Sequence, residues 1–221
     1  MSRREHPPRA EEWANALTHG LGVVGSLVAI PILVLAAQRS HDPLQLAGAT
    51  IYGLTLLVLY SASAAYHAVP PSPAKAMLRR LDHSAIFLLI AGGYTPLFTL
   101  TAGGGRGHGA LVAIWVGASV GIVKSLAWPR APKWVTAALC VGLGWMVTGP
   151  IVARVSLIGA RATTLLIACG VVYSLGAVVY AVKRPDPRPL VFGYHEVFHA
   201  LVILASVLLF AHVVAVIAVA T

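Results

Sequence analysis

The sequence predicts an all-α membrane protein, a bundle of seven transmembrane helices with its N-terminus cytoplasmic and its C-terminus outside. Three observations lead there: an excess of apolar residues, their grouping into runs of spanning length, and an uneven placement of the basic residues. Of 221 residues, 58% are hydrophobic and only 10% charged. Soluble domains carry roughly a quarter charged residues, and a single core of this size could not hide so much apolar surface. A bilayer removes the difficulty, because lipid tails solvate the outward faces of helices whose backbone bonds are all internal.

Apolar runs of roughly 20 residues, the length that crosses a hydrocarbon core, fall at 17–37, 44–67, 83–101, 109–128, 133–152, 162–182 and 191–219. Residues 1–16 form a short cytoplasmic segment and 17–221 a single membrane domain. The first run follows basic residues and ends in Leu-Ala-Ala, yet it exceeds a usual signal-peptide h-region of about 7–15 residues and more spans follow. It reads as a retained helix. The fourth and fifth runs meet near Lys124 and Trp128-Pro129. Pro31, Pro96 and Pro150 fall in or at the ends of runs, where proline kinks or stops a helix.

The formal net charge is +9, from 16 Lys and Arg against 7 Asp and Glu. A balance this basic could suggest nucleic acid, but the cations sit in short clusters between apolar runs, so no nucleic-acid partner is expected. With the N-terminus inside, the inside segments hold Arg3, Arg4, Arg9, Lys75, Arg79, Arg80, Lys124, Arg130, Lys133, Lys183, Arg184 and Arg188. The outside segments hold Arg39, Arg106, Arg154 and Arg161. Twelve against four of these sixteen is the asymmetry of a multi-pass protein with cytoplasmic basic loops. Cys140 and Cys169 lie inside apolar runs without disulfide or metal spacing and read as small lipid-phase residues.

Ionisable residues near spans are costly and need a reason. On this topology His67 ends helix 2 at the cytoplasmic side, where Asp82 precedes helix 3, His195 and His199 begin helix 7, and His19 begins helix 1. His195 and His199 are four apart, which stacks two imidazoles on one helical face as a tetrahedral Zn²⁺ needs. His195-Glu196-Val197-Phe198-His199 also fits the H-E-x-x-H pattern of zinc metalloproteases. A zincin takes its third ligand downstream, and only His212 follows. Thirteen residues of helix put it about 20 Å further on and on another face. The missing ligand therefore comes from another helix, and His67 is the candidate. The plain alternative is a set of interfacial histidines bonded to loop carbonyls.

Ser63 shares a helical face with His67, although a serine there also suits a bond to the carbonyl one turn back. Asp82 suits an N-cap of helix 3 and equally suits a bond to water on the zinc. His83, one residue on, is expected to point away into the interface. His41, His108 and His6 lie in loops or the tail, without evident partners.

These residues resemble the hemolysin III family, the bacterial branch of the progestin and adipoQ receptor (PAQR) proteins. The segment Glu12-Trp13-Ala14-Asn15-Ala16-Leu17-Thr18-His19-Gly20-Leu21-Gly22 looks like the family's entry into helix 1. Ser63 with Tyr66-His67 looks like its helix 2 motif. Leu81-Asp82-His83-Ser84-Ala85-Ile86 and Tyr94-Thr95-Pro96 look like helix 3, and Phe192-Gly193-Tyr194-His195-Glu196-Val197-Phe198-His199 looks like helix 7. The resemblance runs from about Glu12 to the end. It implies seven helices with the N-terminus inside, zinc held by His67, His195 and His199, Asp82 on the zinc-bound water, and Ser63 nearby. The family's later helix 7 histidine usually falls nearer to the pair than His212 does, so no role passes to His212. Receptor members can have Gln where Glu196 stands, which argues against Glu196 as an indispensable base.

Three histidines leave the fourth zinc position open, as catalytic sites do. The expected function is hydrolysis of an amide or ester in a membrane lipid, with Asp82 taking a proton and Ser63 or the metal polarising the carbonyl. This rests partly on analogy with related receptors discussed as ceramidase-like hydrolases. Two other readings are a non-enzymatic homeostasis or sensor protein with a structural zinc, and the cytolytic protein implied by the family's name. The expected setting is the bacterial plasma (inner) membrane, with membrane lipids as partners.

Overall fold

The computed structural model describes residues 9–100, 106–146, 155–188 and 191–220, and the described residues form seven α-helices without a strand. They are α1 (Arg9–Gln38), α2 (Pro43–Ala68), α3 (Pro73–Leu100), α4 (Arg106–Ala127), α5 (Lys133–Trp145), α6 (Val155–Val182) and α7 (Tyr194–Ala220). Five of them, α1, α2, α4, α6 and α7, are long and apolar enough to cross a membrane. The later part of the run expected at 133–152, with Pro150, lies outside the described residues.

Helix starts differ from the apolar runs where capping chemistry overrides hydropathy. The Ser72 hydroxyl accepts the Lys75 N–H at 3.2 Å, and Pro73 stands at the first helical position, so α3 begins about three turns before its apolar part. Asp82 is consequently inside α3 and not its N-cap, which corrects one of its two expected roles. Likewise α1 starts at Arg9, so His19 sits three turns in. Asp42 caps α2 by accepting the Leu44 N–H at 2.8 Å, with Pro43 next to it, and Pro70-Pro71 follow its end.

Burial is inverted relative to a soluble protein on the outer faces: Leu21 is 72% exposed, while Leu33, on the inward stripe of the same helix, is 0% exposed. In the bundle α2 packs between α1 and α3, α7 lies against α6, α1 and α3, and α4 and α5 flank α3. Small residues allow the closest approaches, as between membrane helices generally. A Cβ at Gly22 would overlap the Tyr60 ring, and one at Gly92 would overlap Thr55. Polar ties join the later helices: Tyr173 and Ser206 hydroxyls are 3.0 Å apart, and Tyr94 donates to the Gly144 carbonyl at 2.5 Å. In α6, Gly159 adopts φ 79°, a left-handed kink that an L side chain would strain. The effect of this packing is to bring the start of α1, the end of α2, the start of α3 and the start of α7 to one end of the bundle.

Candidate metal centre

At that end, His67, His195 and His199 each offer a ligand atom, and the three atoms lie within 4.8 Å of one another. The Nε2 atoms of His67 and His195 are 3.3 Å apart. Two ligands of a tetrahedral zinc with Zn–N of about 2.0–2.1 Å are separated by about 3.3–3.4 Å, so this pair already spans one tetrahedral edge. His195 and His199 face the same way because α7 has begun at Tyr194, one turn apart in an intact helix. Both of their Nδ1 atoms are buried without a hydrogen-bond partner. The donor set therefore fits zinc: three borderline-soft nitrogens on two helices and room for a further ligand.

The His67 ring is oriented from behind. Its Nδ1 lies 3.0 Å from Glu12 Oε2, and the same carboxylate oxygen accepts from Lys75 Nζ at 3.0 Å. With Nδ1–H donated to Glu12, Nε2 turns its lone pair toward His195, the carboxylate–histidine arrangement that fixes tautomer and ring angle in metal sites. Lys75 is 9% exposed and also donates to the carbonyls of Tyr66 at 3.1 Å and Val69 at 2.9 Å. One buried ammonium thus caps α2 and holds Glu12 of α1 in place. Glu12→Gln should weaken zinc binding about 10–100-fold, the usual loss for an outer-shell carboxylate, while the folded helix content stays unchanged. Metal titration of purified protein checks this.

Glu196 is engaged elsewhere. Its Oε1 accepts from Asn15 Nδ2 at 2.5 Å and its Oε2 accepts from the Gly193 N–H at 2.7 Å. The second bond is half of a capping box at the start of α7, and the first pins α7 to α1. A carboxylate held this way on both oxygens is an anchor, which removes the remaining weight of the zincin pattern.

Ser63 Oγ is buried, 1% exposed at the residue level, without a hydrogen-bond partner, one turn before His67. Asp82, half-buried, lies within electrostatic reach of His67 and near Ser63. Ser63, Asp82, His195 and His199 line one end of an elongated cavity between α3, α5, α6 and α7. The wall continues past Ile86 and Ile90 to Tyr94, Trp145 and Gly170, about 16 Å along α3 from residue 83 to residue 94 at the helical rise. Its surface beyond the polar end is predominantly apolar, with Thr136 and Ser174 among the polar exceptions.

Other expectations need correction or filling in. His83 does not turn away to the interface; it lines the same cavity, edge-on to Tyr180 with centroids 6.5 Å apart. The cavity is wide enough at α3 to admit two consecutive side chains. Cys140 and Cys169 are free thiols, as expected, but they face this cavity. His212 bonds the Ala162 carbonyl through Nδ1 at 2.9 Å and ties α7 to α6 away from the cluster. His19, given no role by the sequence, is 3% exposed and stacks on His199 with ring centroids 3.6 Å apart. Sequence reading also missed Glu12, Asn15 and Lys75 as supports. The signal was present for α1: Glu12, Asn15 and His19 stand three and four residues apart on one helical face.

The profile of the family described as Haemolysin-III related matches residues 9–210. The chain belongs to the haemolysin III family. Among its relatives in that family, Hemolysin-3 of Bacillus cereus is 33% identical over 202 residues, covering 90% of this chain and 89% of the relative. The Hemolysin-3 homolog of Bacillus subtilis (strain 168) is 30% identical over 200 residues, covering 90% and 91%. No solved structure matches the chain. The matched region of this haemolysin III protein includes Glu12, His67, Asp82 and both α7 histidines, so the whole cluster lies inside the family's shared part.

Proposed function

We propose that this haemolysin III protein binds zinc through His67, His195 and His199 and hydrolyses an amide or ester bond of a membrane lipid. The observation that carries this reading is the opening of the three-histidine cluster onto a long apolar cavity whose polar end also holds Asp82 and Ser63. Bound zinc would supply a Lewis acid able to make water nucleophilic near neutral pH.

The chain's own residues do the rest. Glu12 and Lys75 hold the His67 ring at its angle, and Glu196 fixes the start of α7 so that His195 and His199 keep their register. The Asp82 carboxylate is the proton acceptor at the polar end. Ser63 Oγ, beside Asp82 at the polar end, donates its O–H to the carbonyl oxygen of the scissile bond. The walls formed by Ile86, Leu89 and Ile90 of α3 and Val202 of α7 take up the alkyl tail and keep bulk water out.

The direct test is turnover of labelled ceramides, acyl lipids and phospholipids in liposomes, with zinc measured on the same samples. Zinc-dependent release of one product supports the reading. A fully metal-loaded protein that turns over none of them leaves a structural zinc in a homeostasis or sensor protein. Lysis of cells by purified protein without lipid turnover favours the cytolytic activity that the relatives' name suggests.

The uneven distribution of basic residues supports a reading in which this end of the bundle faces the cytoplasm at the bacterial plasma (inner) membrane and the substrate enters from the inner leaflet. A reporter fused after Thr221 should therefore read as outside and one inserted at Lys75 as inside. A C-terminal reporter active only in the cytoplasm overturns the orientation.

A further inference from the structure

His19 is a buried imidazole of the polar end whose role neither the metal cluster nor the proton acceptor explains. It stands on α1 at 3% exposure, lines the cavity, and meets Tyr60 edge-on at a centroid distance of 5.1 Å. Both of its ring nitrogens are buried without a hydrogen-bond partner. An uncharged imidazole carries one N–H donor and one acceptor. Leaving both unmet in an apolar setting is costly, and buried polar side chains generally find a partner, as His212 does in the Ala162 carbonyl.

The obvious partner, the metal, is excluded by the ring geometry. His19 and His199 are stacked 3.6 Å apart with planes only 9° from parallel. Lone pairs of rings stacked face to face point in parallel planes and do not converge on one point, so a ring set this way on His199 would not share a ligand position with it. His19 is therefore no fourth ligand of an ion held by His199. Its free nitrogens, held beside the ligand ring by the stack, are presented to whatever occupies the polar end of the cavity.

We infer that His19 is a ligand-positioning residue: it hydrogen-bonds the polar group of a lipid whose alkyl tail lies in the α3–α5–α6–α7 cavity, and so sets how deeply the headgroup seats beside the three histidines. The occupant is a long-chain molecule with a neutral hydroxyl or carbonyl at its head. Such a group satisfies an imidazole donor or acceptor, and it can lie against an apolar wall without bringing a charge inside. The inference rests on the cavity reading of the proposed function, but not on hydrolysis.

The probe is tritiated hexadecan-1-ol, which has nothing to hydrolyse, with hexadecane as the apolar reference. Binding is measured on the full chain in phosphatidylcholine nanodiscs, with zinc content and helix content taken from the same preparations. His19→Phe preserves the stack and deletes both nitrogens. It should bind hexadecan-1-ol roughly five- to tenfold more weakly, the worth of one hydrogen bond, with hexadecane binding and zinc content unchanged. His19→Gln, which restores a donor and an acceptor, should recover part of the loss. If the Phe variant does not insert, His19→Met carries the same comparison.

Equal hexadecan-1-ol affinity in wild type and a folded apolar variant overturns the inference. So does a folded variant that loses its zinc, because His19 would then be holding the metal. Wild-type protein that prefers the alcohol no more than the alkane overturns it as well. Absence of lipid turnover with His19-dependent binding intact is the signature of a failed hydrolase reading alone.

Discussion

Asp82→Asn should keep its zinc and lose on the order of 10²–10⁴ in the rate of lipid hydrolysis. The substitution preserves size and hydrogen bonding but removes the basic oxygen. Asp82 is not among the three residues whose ligand atoms cluster, so metal content should stay at that of the wild type. Nor does it cap α3, which starts at Pro73 with Ser72 as its cap; the variant therefore has no helix start to destabilise. Those two facts separate chemistry from structure. If zinc merely ties helices together, the variant behaves as wild type in every assay. The measurement is single-turnover release of labelled product at matched zinc occupancy, and wild-type rates in the variant would remove Asp82 from the mechanism.

The second large effect is on the metal itself. Purified protein should hold about one zinc per chain, and His67→Ala or His199→Ala should each reduce this to near zero. Loss of a ligand exceeds the ~10–100-fold cost of disturbing an outer-shell partner, because the two imidazoles that remain leave half the tetrahedron empty. His212→Ala should retain full zinc, since that ring bonds the Ala162 carbonyl elsewhere in the bundle. His83→Ala should retain it too, since His83 lines the cavity without joining the cluster. Elemental analysis after gel filtration reads all four. A His67→Ala protein with full occupancy would break the link between α2 and α7 on which the site depends.

Much of this arrangement was legible in the residues. Run length gave the seven helices, because a bilayer demands a narrow range of apolar lengths. Four-residue spacing placed His195 and His199 on one face, and chain direction alone brought His67 and Asp82 to the same end. What hydropathy could not show were the polar first turns of α1 and α3, which continue beyond their apolar runs; their starts were misplaced for that reason. The supports of the site lie in those same turns. Glu12, Asn15 and Lys75 act across 55 to 181 residues of sequence, and no local pattern reports a partner that distant. The stacking of His19 on His199 depends on how closely α1 approaches α7, which is set by packing.

The contact that closes the cluster joins His67 to His195 across 128 residues of chain. The ties that orient His67 are much shorter in sequence, 55 residues from Glu12 to His67 and 63 from Glu12 to Lys75. The growing chain therefore assembles the first ring and its supports from α1, α2 and the start of α3, long before α7 exists. At about 5–20 residues per second, the interval before His195 emerges is on the order of ten seconds. For that time the nascent protein carries an aimed but solitary imidazole at the membrane surface. On the proposed metal reading, an ion would meet all three rings only once α7 has been made and packed beside α1 and α6.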